Sequence, residues 1–241
     1  MNIIIPLGGK GERFKKEGYI LPKPLIKVLE KEILFYVIDN LDIHLEDKVY
    51  IIYNQELDIY HFSEIIKEKY PFIELIKLNY DTKGASETIY IGTNYIINNL
   101  KYLNKTILID GDTFYEENIL EKFRKTNTNA VFYIKNYDLN PVFSYIKLDN
   151  NNMIIDIKEK NKISDNANTG AYAFENIHLL NKYAKFVLDN NISFKNEPYT
   201  SCIIDVMLKN NERFKGIELK TEKVFVLGTP FQVNEYISKI K

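Results

Sequence analysis

The sequence contains few residues of the kinds that build disulfides and zinc sites: one cysteine, Cys202, and three widely separated histidines among 241 residues, with no tryptophan. A single cysteine excludes an internal disulfide and a cysteine-rich zinc site. The sequence also has no excess of either charge, because 32 lysines and arginines are balanced by 33 aspartates and glutamates. Nucleic-acid-binding proteins usually carry a basic excess, so the sequence predicts no nucleic-acid partner.

Long apolar runs are absent as well. No stretch approaches the roughly 20 consecutive apolar residues that a transmembrane helix needs. The apolar start of the chain is interrupted by Pro6 and Gly8 and lacks the basic segment that opens a secretory signal peptide. We therefore expect a cytoplasmic protein without membrane contact.

Short β-branched runs alternate with helix-like segments through the first half of the chain. Strands are predicted at residues 2–7, 49–54, 72–79 and 106–112, and helices at 31–41, 56–70 and 86–100. Several of these strands are apolar throughout, which is typical of strands buried on both faces of a sheet. The strand–helix–strand alternation favours parallel pairing with right-handed crossovers.

Closely spaced strands dominate the second half of the chain, which predicts some antiparallel pairing there. Strands at 130–138, 144–150, 153–160 and 170–176 are followed by helices at 177–188 and 200–209, strands at 214–220 and 223–227, and a helix from about residue 230. No linker, repeat or low-complexity tract divides the sequence. We therefore predict one domain over residues 1–241, of the α/β class, with a mixed and mostly parallel sheet.

A glycine loop that follows the first predicted strand indicates a phosphate site. Gly8, Gly9 and Gly11 let backbone N–H groups converge on an anion, because no side chain blocks its approach. The loop does not match the dinucleotide-binding pattern, which requires a third glycine where this chain has Phe14. The Gly-Lys-Ser/Thr triplet of the P-loop does not occur anywhere in the sequence.

Two cations accompany this loop. Arg13 comes two residues after Gly11, and Lys23 lies between Pro22 and Pro24. Proline fixes its own φ and restricts the residue before it, so we expect Lys23 on a stiff, extended segment. An arginine fork and a positioned lysine suit a polyphosphate ligand.

The run Gly9-Lys-Gly11-Glu-Arg13, followed by the PKPL segment, resembles the entry motif of the sugar-phosphate nucleotidylyltransferases, the GT-A-like pyrophosphorylases. The resemblance extends over nearly the whole chain and implies a single-domain, Rossmann-like GT-A nucleotidyltransferase fold. It implies catalytic roles for Arg13 and Lys23. It also implies that the nucleotide phosphates lie against Leu7, Gly8, Gly9 and Gly11.

A pair of carboxylates ends the predicted strand ILID. Asp110 and Asp112, separated by Gly111, lie where ligands bind in open parallel sheets, and crowded carboxylates favour a shared cation such as Mg²⁺. The resemblance assigns Asp112 to the metal, and Asp110 and Gly111 to the nucleotide.

The family often places a second aspartate ligand near its C-terminus, where this chain has Val226. Valine cannot bind Mg²⁺. Either Asp112 holds the ion with Asp110 or a water, or another carboxylate such as Glu222 or Asp205 substitutes.

Two further segments match the family. The loop with Gly84, Ala85 and Ser86 resembles the segment that passes along the nucleobase. Without the resemblance, the same residues predict only a loop that enters a helix, with Ser86 or a neighbour as N-cap. The Glu-Lys step and the later Asn-Thr-Gly run resemble the acceptor site, in which the lysine holds the acceptor's phosphate. The acceptor residues implied are Glu159, Lys160, Asn168, Thr169 and Gly170.

The implied reaction joins a nucleoside triphosphate (NTP) to a small phosphorylated acceptor and releases pyrophosphate. In length the chain is similar to the small cytidylyltransferases of capsule and other surface-polysaccharide pathways, such as those that act on phosphoglutamine. We therefore expect CTP as the nucleotide, and a sugar phosphate or a phosphoglutamine-like molecule as the acceptor. The oligomeric state is left open, with a homodimer as one alternative.

Two other functions are compatible with part of the pattern. Asp110-Gly-Asp112 also fits the metal motif of a GT-A glycosyltransferase, although such an enzyme does not need the PKP lysine or the Glu-Lys step. Val226 motivates the second alternative, a non-catalytic subunit that senses nucleotides.

Overall fold

A nine-stranded mixed sheet forms the centre of the structure, a computed structural model that describes residues 1–240. The strands up to the middle of the chain are β1 (Asn2–Leu7), β2 (Lys27–Val28), β3 (Lys31–Glu32), β4 (Lys48–Asn54), β5 (Ile73–Leu78), β6 (Thr106–Ile109) and β7 (Thr113–Tyr115). The helices of this part are α1 (Glu12–Lys16), α2 (Ile33–Asp39), α3 (Phe62–Lys69), α4 (Ala85–Asn99) and α5 (Ile119–Arg124).

The remaining strands are β8 (Asn129–Lys135), β9 (Ser144–Leu148), β10 (Ile154–Glu159), β11 (Asn166–Phe174), β12 (Phe214–Glu218) and β13 (Val224–Val226). The remaining helices are α6 (Ile177–Asp189), α7 (Thr200–Lys209) and α8 (Pro230–Ile240).

Strand β11 joins the two parts of the sheet. Strands β6, β1, β4 and β5 pair in parallel in that order. The C-terminal half of β11 runs antiparallel to β6, whereas Ala167 near its start pairs with β9, which in turn pairs with β10. The opposite edge of β11 pairs with β8, and β12 runs parallel to β8. The short pairs β2–β3 and β7–β13 lie outside the main sheet.

Helices cover both faces of the sheet, as the alternation along β1 shows. Ile3 and Ile5 point into the core that α2 covers, and Ile4 points into the core that α4 and α6 cover. All three side chains are fully buried, and each contributes ~1.5–3 kcal/mol to folding. The Ile-Ile-Ile run thus supplies both hydrophobic cores from one strand.

The predicted fold class, α/β with a mixed and mostly parallel sheet, is confirmed, since within the nine-stranded sheet more residues pair in parallel than antiparallel. The helix predicted at 31–41 is present but shorter, and the one predicted at 56–70 is interrupted. The first begins only after β3, and the second is a 3₁₀ turn (Gln55–Tyr60) and α3, separated by His61 at φ 56°. The strand predicted at 106–112 ends at Ile109, which leaves both aspartates in a loop.

Among the described residues, no helix is both long enough and apolar enough to cross a membrane.

Candidate functional site

A cleft of about 1150 Å³ opens beyond the carboxyl ends of β1 and β6. The glycine loop that follows β1 forms one wall, and the Asp-Gly-Asp loop that follows β6 forms the floor. The N-terminal half of β11 and the end of β10 form the far side. This is the position at which open α/β sheets bind ligands.

The loop after β1 ends in Gly11, which adopts φ 66° and caps α1. Helix α1 carries Arg13 on its first turn, and the Arg13 side chain lines the cleft. Phe14, on the same turn, is buried and fixes the helix against the core. The loop backbone and Arg13 therefore reach the same cleft from one short segment.

Lys23 occupies a tight turn rather than the extended segment that the two prolines predicted. Pro22 is extended, but Lys23 begins a 3₁₀ turn (Lys23–Leu25) in which the Leu25 amide donates to the Pro22 carbonyl at 2.9 Å. Pro24 and Leu25 are buried, so the turn is anchored in the core. The Lys23 Nζ atom donates to Asp112 Oδ2 at 2.7 Å.

The two aspartates of the floor have opposite electrostatic environments. Desolvation, together with the neighbouring charge of Asp112, raises the pKa of Asp110 to about 8. Desolvation also opposes ionisation of Asp112, but the charge and hydrogen bond of Lys23 hold the pKa of Asp112 below its ordinary value. Two carboxylates in this position offer hard oxygen ligands of the kind that Mg²⁺ binds.

Of the carboxylates left open as a second metal ligand, Asp110 lies on the cleft floor with Asp112. Asp205 lies on α7, outside the cleft lining, and forms ion pairs with Lys158 at 3.4 Å and Lys209 at 2.5 Å. Glu222 is also outside the lining. The residues of the cleft therefore fit a divalent cation held by the Asp110–Asp112 pair.

At the far side, the Glu-Lys step ends β10. Lys160 has φ 47°, and its backbone N–H donates to the Phe143 carbonyl at 2.9 Å. Its Nζ atom donates to the Tyr199 hydroxyl at 2.6 Å. The Glu159 carboxylate accepts from Ser201 Oγ at 2.8 Å, and desolvation raises the pKa of Glu159.

Gly170 brings β11 into contact with the floor. It has φ 85°, and a Cβ atom there would lie 2.5 Å from Asp110 Oδ2. The Asp110 amide donates to the Gly170 carbonyl at 2.8 Å, and the Asn168 side chain accepts from the Gly170 amide at 2.9 Å. Among the described residues, the buried Asn168 Nδ2 has no hydrogen-bond partner. A donor is therefore left for a ligand.

The loop before α4 enters the helix with a neighbour of Ser86 as N-cap, as the sequence predicted. Gly84 is the N-cap, without a side-chain cap. Ser86 is fully buried and donates its hydroxyl to the Tyr199 carbonyl at 2.7 Å. Ala85 lines the cleft, so the backbone at the start of α4 is what the cleft presents to a ligand.

Most of the residues singled out from the sequence meet in this cleft. Its walls contain Leu7, Gly9, Gly11, Arg13, Lys23, Ala85, Asp110, Gly111, Asp112, Glu159, Lys160, Asn168, Thr169 and Gly170. Gly8, Gly84 and Ser86 are not part of this lining. The roles of all these residues toward a nucleotide or an acceptor stay predictions.

The cleft also contains residues that the sequence did not reveal. Glu197 and Tyr199 precede α7, and Phe225 lies on β13 beside Val226. Phe231, at the start of α8, is 69% exposed and faces the cleft. None belongs to a motif, and at this end of the chain the sequence gave a signal only at Val226.

Comparison with known proteins shows the family of the chain. The family described as Nucleotidyl transferase matches residues 2–215. The chain is 28% identical to the bifunctional protein GlmU of Methanocaldococcus jannaschii over 223 residues, which cover 91% of this chain and 49% of that protein. It is 30% identical to the bifunctional protein GlmU of Methanococcus maripaludis, over 100% of this chain and 55% of that protein. The chain thus spans about half the length of the curated relatives it matches.

Solved structures share the fold at low sequence identity. A nucleoside-diphosphate-sugar pyrophosphorylase from Vibrio cholerae gives a TM-score of 0.87 at 17% identity, covering 98% of this chain and 99% of that chain. The inositol-1-phosphate CTP transferase of T. maritima gives 0.73 at 14% identity, covering 100% and 96%. A UDP-glucose pyrophosphorylase complexed with UDP-glucose gives 0.77 at 14% identity, covering 99% and 97%.

Proposed function

Because the chain belongs to the nucleotidyl transferase family, we propose that it transfers a nucleotidyl group from an NTP to a small phosphorylated acceptor and releases pyrophosphate. One observation carries this proposal. A single cleft joins the glycine loop and Arg13 at one side, the Lys23–Asp112 pair at its floor, and Lys160 at the other side. Two anions can therefore be held with their reacting atoms facing each other.

In this reaction an oxygen of the acceptor's phosphate attacks the α-phosphorus of the NTP. The bond between the α-phosphorus and the bridging oxygen of the β-phosphate breaks, and the electron pair leaves with pyrophosphate. A phosphomonoester has a second pKa near ~6, so its oxygen is largely ionised at neutral pH and needs no general base. Catalysis then depends on positioning and on charge stabilisation.

The chain supplies these functions from separate elements. The backbone N–H groups of the loop after β1 and the Arg13 guanidinium bind the β- and γ-phosphates. Lys23, fixed by its buried turn, stabilises the charge that develops around the α-phosphorus. Lys160 binds the acceptor's phosphate, and the unpaired Asn168 Nδ2 donates to a polar group of the acceptor.

The Asp110–Asp112 pair would hold a divalent cation, and we propose Mg²⁺. When bound, Mg²⁺ neutralises charge on the phosphate oxygens. Val226 lines the same floor, but its side chain has no ligand atom, so the two aspartates provide the protein's carboxylates at this position.

We propose CTP as the nucleotide, in keeping with the resemblance to the small cytidylyltransferases of capsule and surface-polysaccharide pathways. The T. maritima neighbour, whose name includes CTP and inositol 1-phosphate, supports this choice. The neighbour complexed with UDP-glucose favours UTP as the second candidate. The acceptor candidates are sugar phosphates, inositol 1-phosphate and phosphoglutamine.

The test combines each of the four NTPs, in the presence of Mg²⁺, with each acceptor candidate and measures pyrophosphate. We expect release only when NTP and acceptor are both present, with a pyrimidine NTP giving the highest rate. Nucleotide binding without release under every combination would contradict the proposal and support a sensing subunit. Transfer from a preformed nucleotide-sugar would instead support a glycosyltransferase.

A further inference from the structure

One short segment before α7, Glu197–Tyr199, contacts both halves of the cleft, and we name it the bridging segment. On the nucleotide side, the Ser86 amide donates to the Pro198 carbonyl at 2.8 Å, and the Ser86 hydroxyl donates to the Tyr199 carbonyl at 2.7 Å. Gly84 lies so close that a Cβ atom there would be 2.8 Å from Pro198 Cδ. The start of α4 therefore rests directly on the bridging segment.

On the acceptor side, the Tyr199 side chain holds Lys160. The Lys160 Nζ atom donates to the Tyr199 hydroxyl at 2.6 Å and lies 4.4 Å from the centre of its ring. The same hydroxyl donates to the Glu197 carboxylate. Burial, followed by the hydrogen bond to Glu197, raises the pKa of Tyr199, so the phenol stays protonated and keeps this direction of donation.

This arrangement keeps the Lys160 ammonium available to a ligand. An ammonium group has three N–H donors, and one of them is used by Tyr199. The Glu159 Oε1 atom lies 3.9 Å away, beyond hydrogen-bond distance. Lys160 and Glu159 thus form only a long ion pair. Without the Tyr199 hydroxyl, Lys160 would move into a shorter, hydrogen-bonded pair with Glu159 or Glu197, away from the acceptor's phosphate.

We propose that Tyr199 is a positioning residue that sets the Lys160 ammonium for the acceptor, and that the bridging segment couples nucleotide binding to acceptor binding. The proposal rests on the proposed function. A shift of residues 84–86 on nucleotide binding is transmitted through two hydrogen bonds to the backbone that carries Tyr199. Coupling of this kind is reciprocal, so the acceptor changes nucleotide affinity by the same factor.

The first experiment compares Tyr199→Phe with a matched control, Tyr133→Phe, in the NTP–acceptor pair that gives the fastest pyrophosphate release. Tyr133 also donates to a glutamate, Glu218, at 3.0 Å and has a lysine, Lys135, 5.6 Å from its ring, but it lies outside the cleft lining. We expect Tyr199→Phe to raise the KM for the acceptor about 10-fold, the loss typical of one charge-assisted hydrogen bond. The KM of Tyr199→Phe for the NTP, measured at low acceptor concentration, should stay within about twofold of wild type. The same holds for the KM values of Tyr133→Phe for the NTP and for the acceptor.

The second experiment tests the coupling with Ser86→Ala. Ser86 is fully buried and cannot touch the acceptor. We expect Ser86→Ala to raise the acceptor KM nonetheless, and its effect in combination with Tyr199→Phe to be less than multiplicative, because both changes act through the same segment. The affinity for the NTP can be measured by calorimetric titration without Mg²⁺, once with saturating acceptor and once without it. We expect the acceptor to change this affinity, and we expect both variants to make the change smaller.

Several results would overturn the proposal. If Lys160→Met raises the KM for the acceptor but Tyr199→Phe leaves it unchanged, Tyr199 does not position Lys160. Equal losses in Tyr199→Phe and Tyr133→Phe indicate general destabilisation and also remove the positioning role. Independent, fully multiplicative effects of Ser86→Ala and Tyr199→Phe remove the coupling. If the wild-type protein releases no pyrophosphate with any pair, the proposed function itself fails, and the role of the bridging segment fails with it.

Discussion

Lys23 is the single side chain on which the proposed chemistry depends most. Its buried turn and its 2.7 Å bond to Asp112 place an ammonium group at the cleft floor. We expect Lys23→Ala to lower kcat by ~10²–10³-fold, the cost of removing one donor that stabilises transition-state charge. Pyrophosphate release at saturating NTP and acceptor measures the effect.

The control for this change is Lys31→Ala. Lys31 also forms an ion pair with an aspartate, Asp39, at 2.6 Å, but lies outside the cleft lining. The kcat of Lys31→Ala should match wild type. A Lys23→Ala variant that is folded and turns over at the wild-type rate would remove Lys23 from the mechanism.

Gly170 provides a second prediction at the scale of one residue. An alanine at position 170 would have an unfavourable φ, and its methyl group would clash with the Asp110 carboxylate. Gly18 has nearly the same φ, 83°, but no atom lies within 4 Å of the position that an added methyl group would occupy. Both substitutions cost ~1–2 kcal/mol from φ alone. Gly170→Ala should lower the free energy of unfolding by a further ~1–3 kcal/mol, the range for overpacking. Urea denaturation of the two variants measures the difference, and equal losses would contradict the contact.

Residues that the sequence singled out from a local signal lie together in the cleft, although their roles stay predictions. The segments with Gly11, Arg13 and Lys23, and the Asp110–Asp112 loop, are short runs whose composition restricts their chemistry, and the structure brings them together. Tyr199 could not be found in this way. Its partners Lys160 and Ser86 are 39 and 113 residues away along the chain, so only the folded backbone places them in contact.

At the scale of elements, Asp47 connects the starts of β1 and β4 to α5. Its side chain is 1% exposed and accepts from the Met1 amino group at 2.7 Å and from the Arg124 guanidinium at 2.5 Å. We expect Asp47→Asn to lower the free energy of unfolding at neutral pH by about 3 kcal/mol, since it leaves the buried Met1 amino group without its counter-charge and leaves Arg124 with Glu121 alone. Asp189→Asn, which breaks an exposed pair with Lys185, should cost less than ~1 kcal/mol.

The pH dependence of this effect has a definite sign. Burial opposes ionisation of Asp47, but the hydrogen bond from the Met1 amino group and the other contacts outweigh it, and the pKa of Asp47 lies below its ordinary value of 3.8. A depressed carboxyl pKa stabilises the folded state above pH 3.8 and loses this contribution as the pH falls through the folded-state value. The stability difference between wild type and Asp47→Asn should therefore narrow below pH 3.8. A difference that widens in acid would contradict the assignment.

Elements were predictable from the sequence where hydrophobic patterning was long and uniform. The buried Ile3–Ile5 run of β1 and the apolar face of α6 are such cases. Breaks within a pattern were not predictable, because they depend on single backbone conformations. His61 adopts φ 56° and ends one helical segment before α3 begins, and no glycine or proline marks that position.

For the whole molecule, the cleft depends on the complete fold. Its walls come from β1, β6, β10, β11 and the loops before α4 and α7, so a ligand bound there stabilises all of these elements together. At 100 times its Kd, an NTP should raise the free energy of unfolding by ~2.7 kcal/mol. Thermal denaturation with each NTP in turn measures this, and the preferred nucleotide should give the largest rise in Tm. Equal shifts for all four NTPs would contradict selection of the base.

The exposed ring of Phe231 at the cleft edge has an optical consequence in a chain that contains no tryptophan. Phe231→Trp would introduce the protein's sole indole, so all fluorescence excited at the red edge of aromatic absorption would originate from one position beside the cleft. The wavelength of the emission maximum and the extent of quenching by iodide would then measure the solvent exposure of the indole at that position. Because the natural protein contains no tryptophan, it adds no indole emission of its own. The fluorescence of Phe231→Trp could therefore follow ligand binding to the cleft and ligand release in real time.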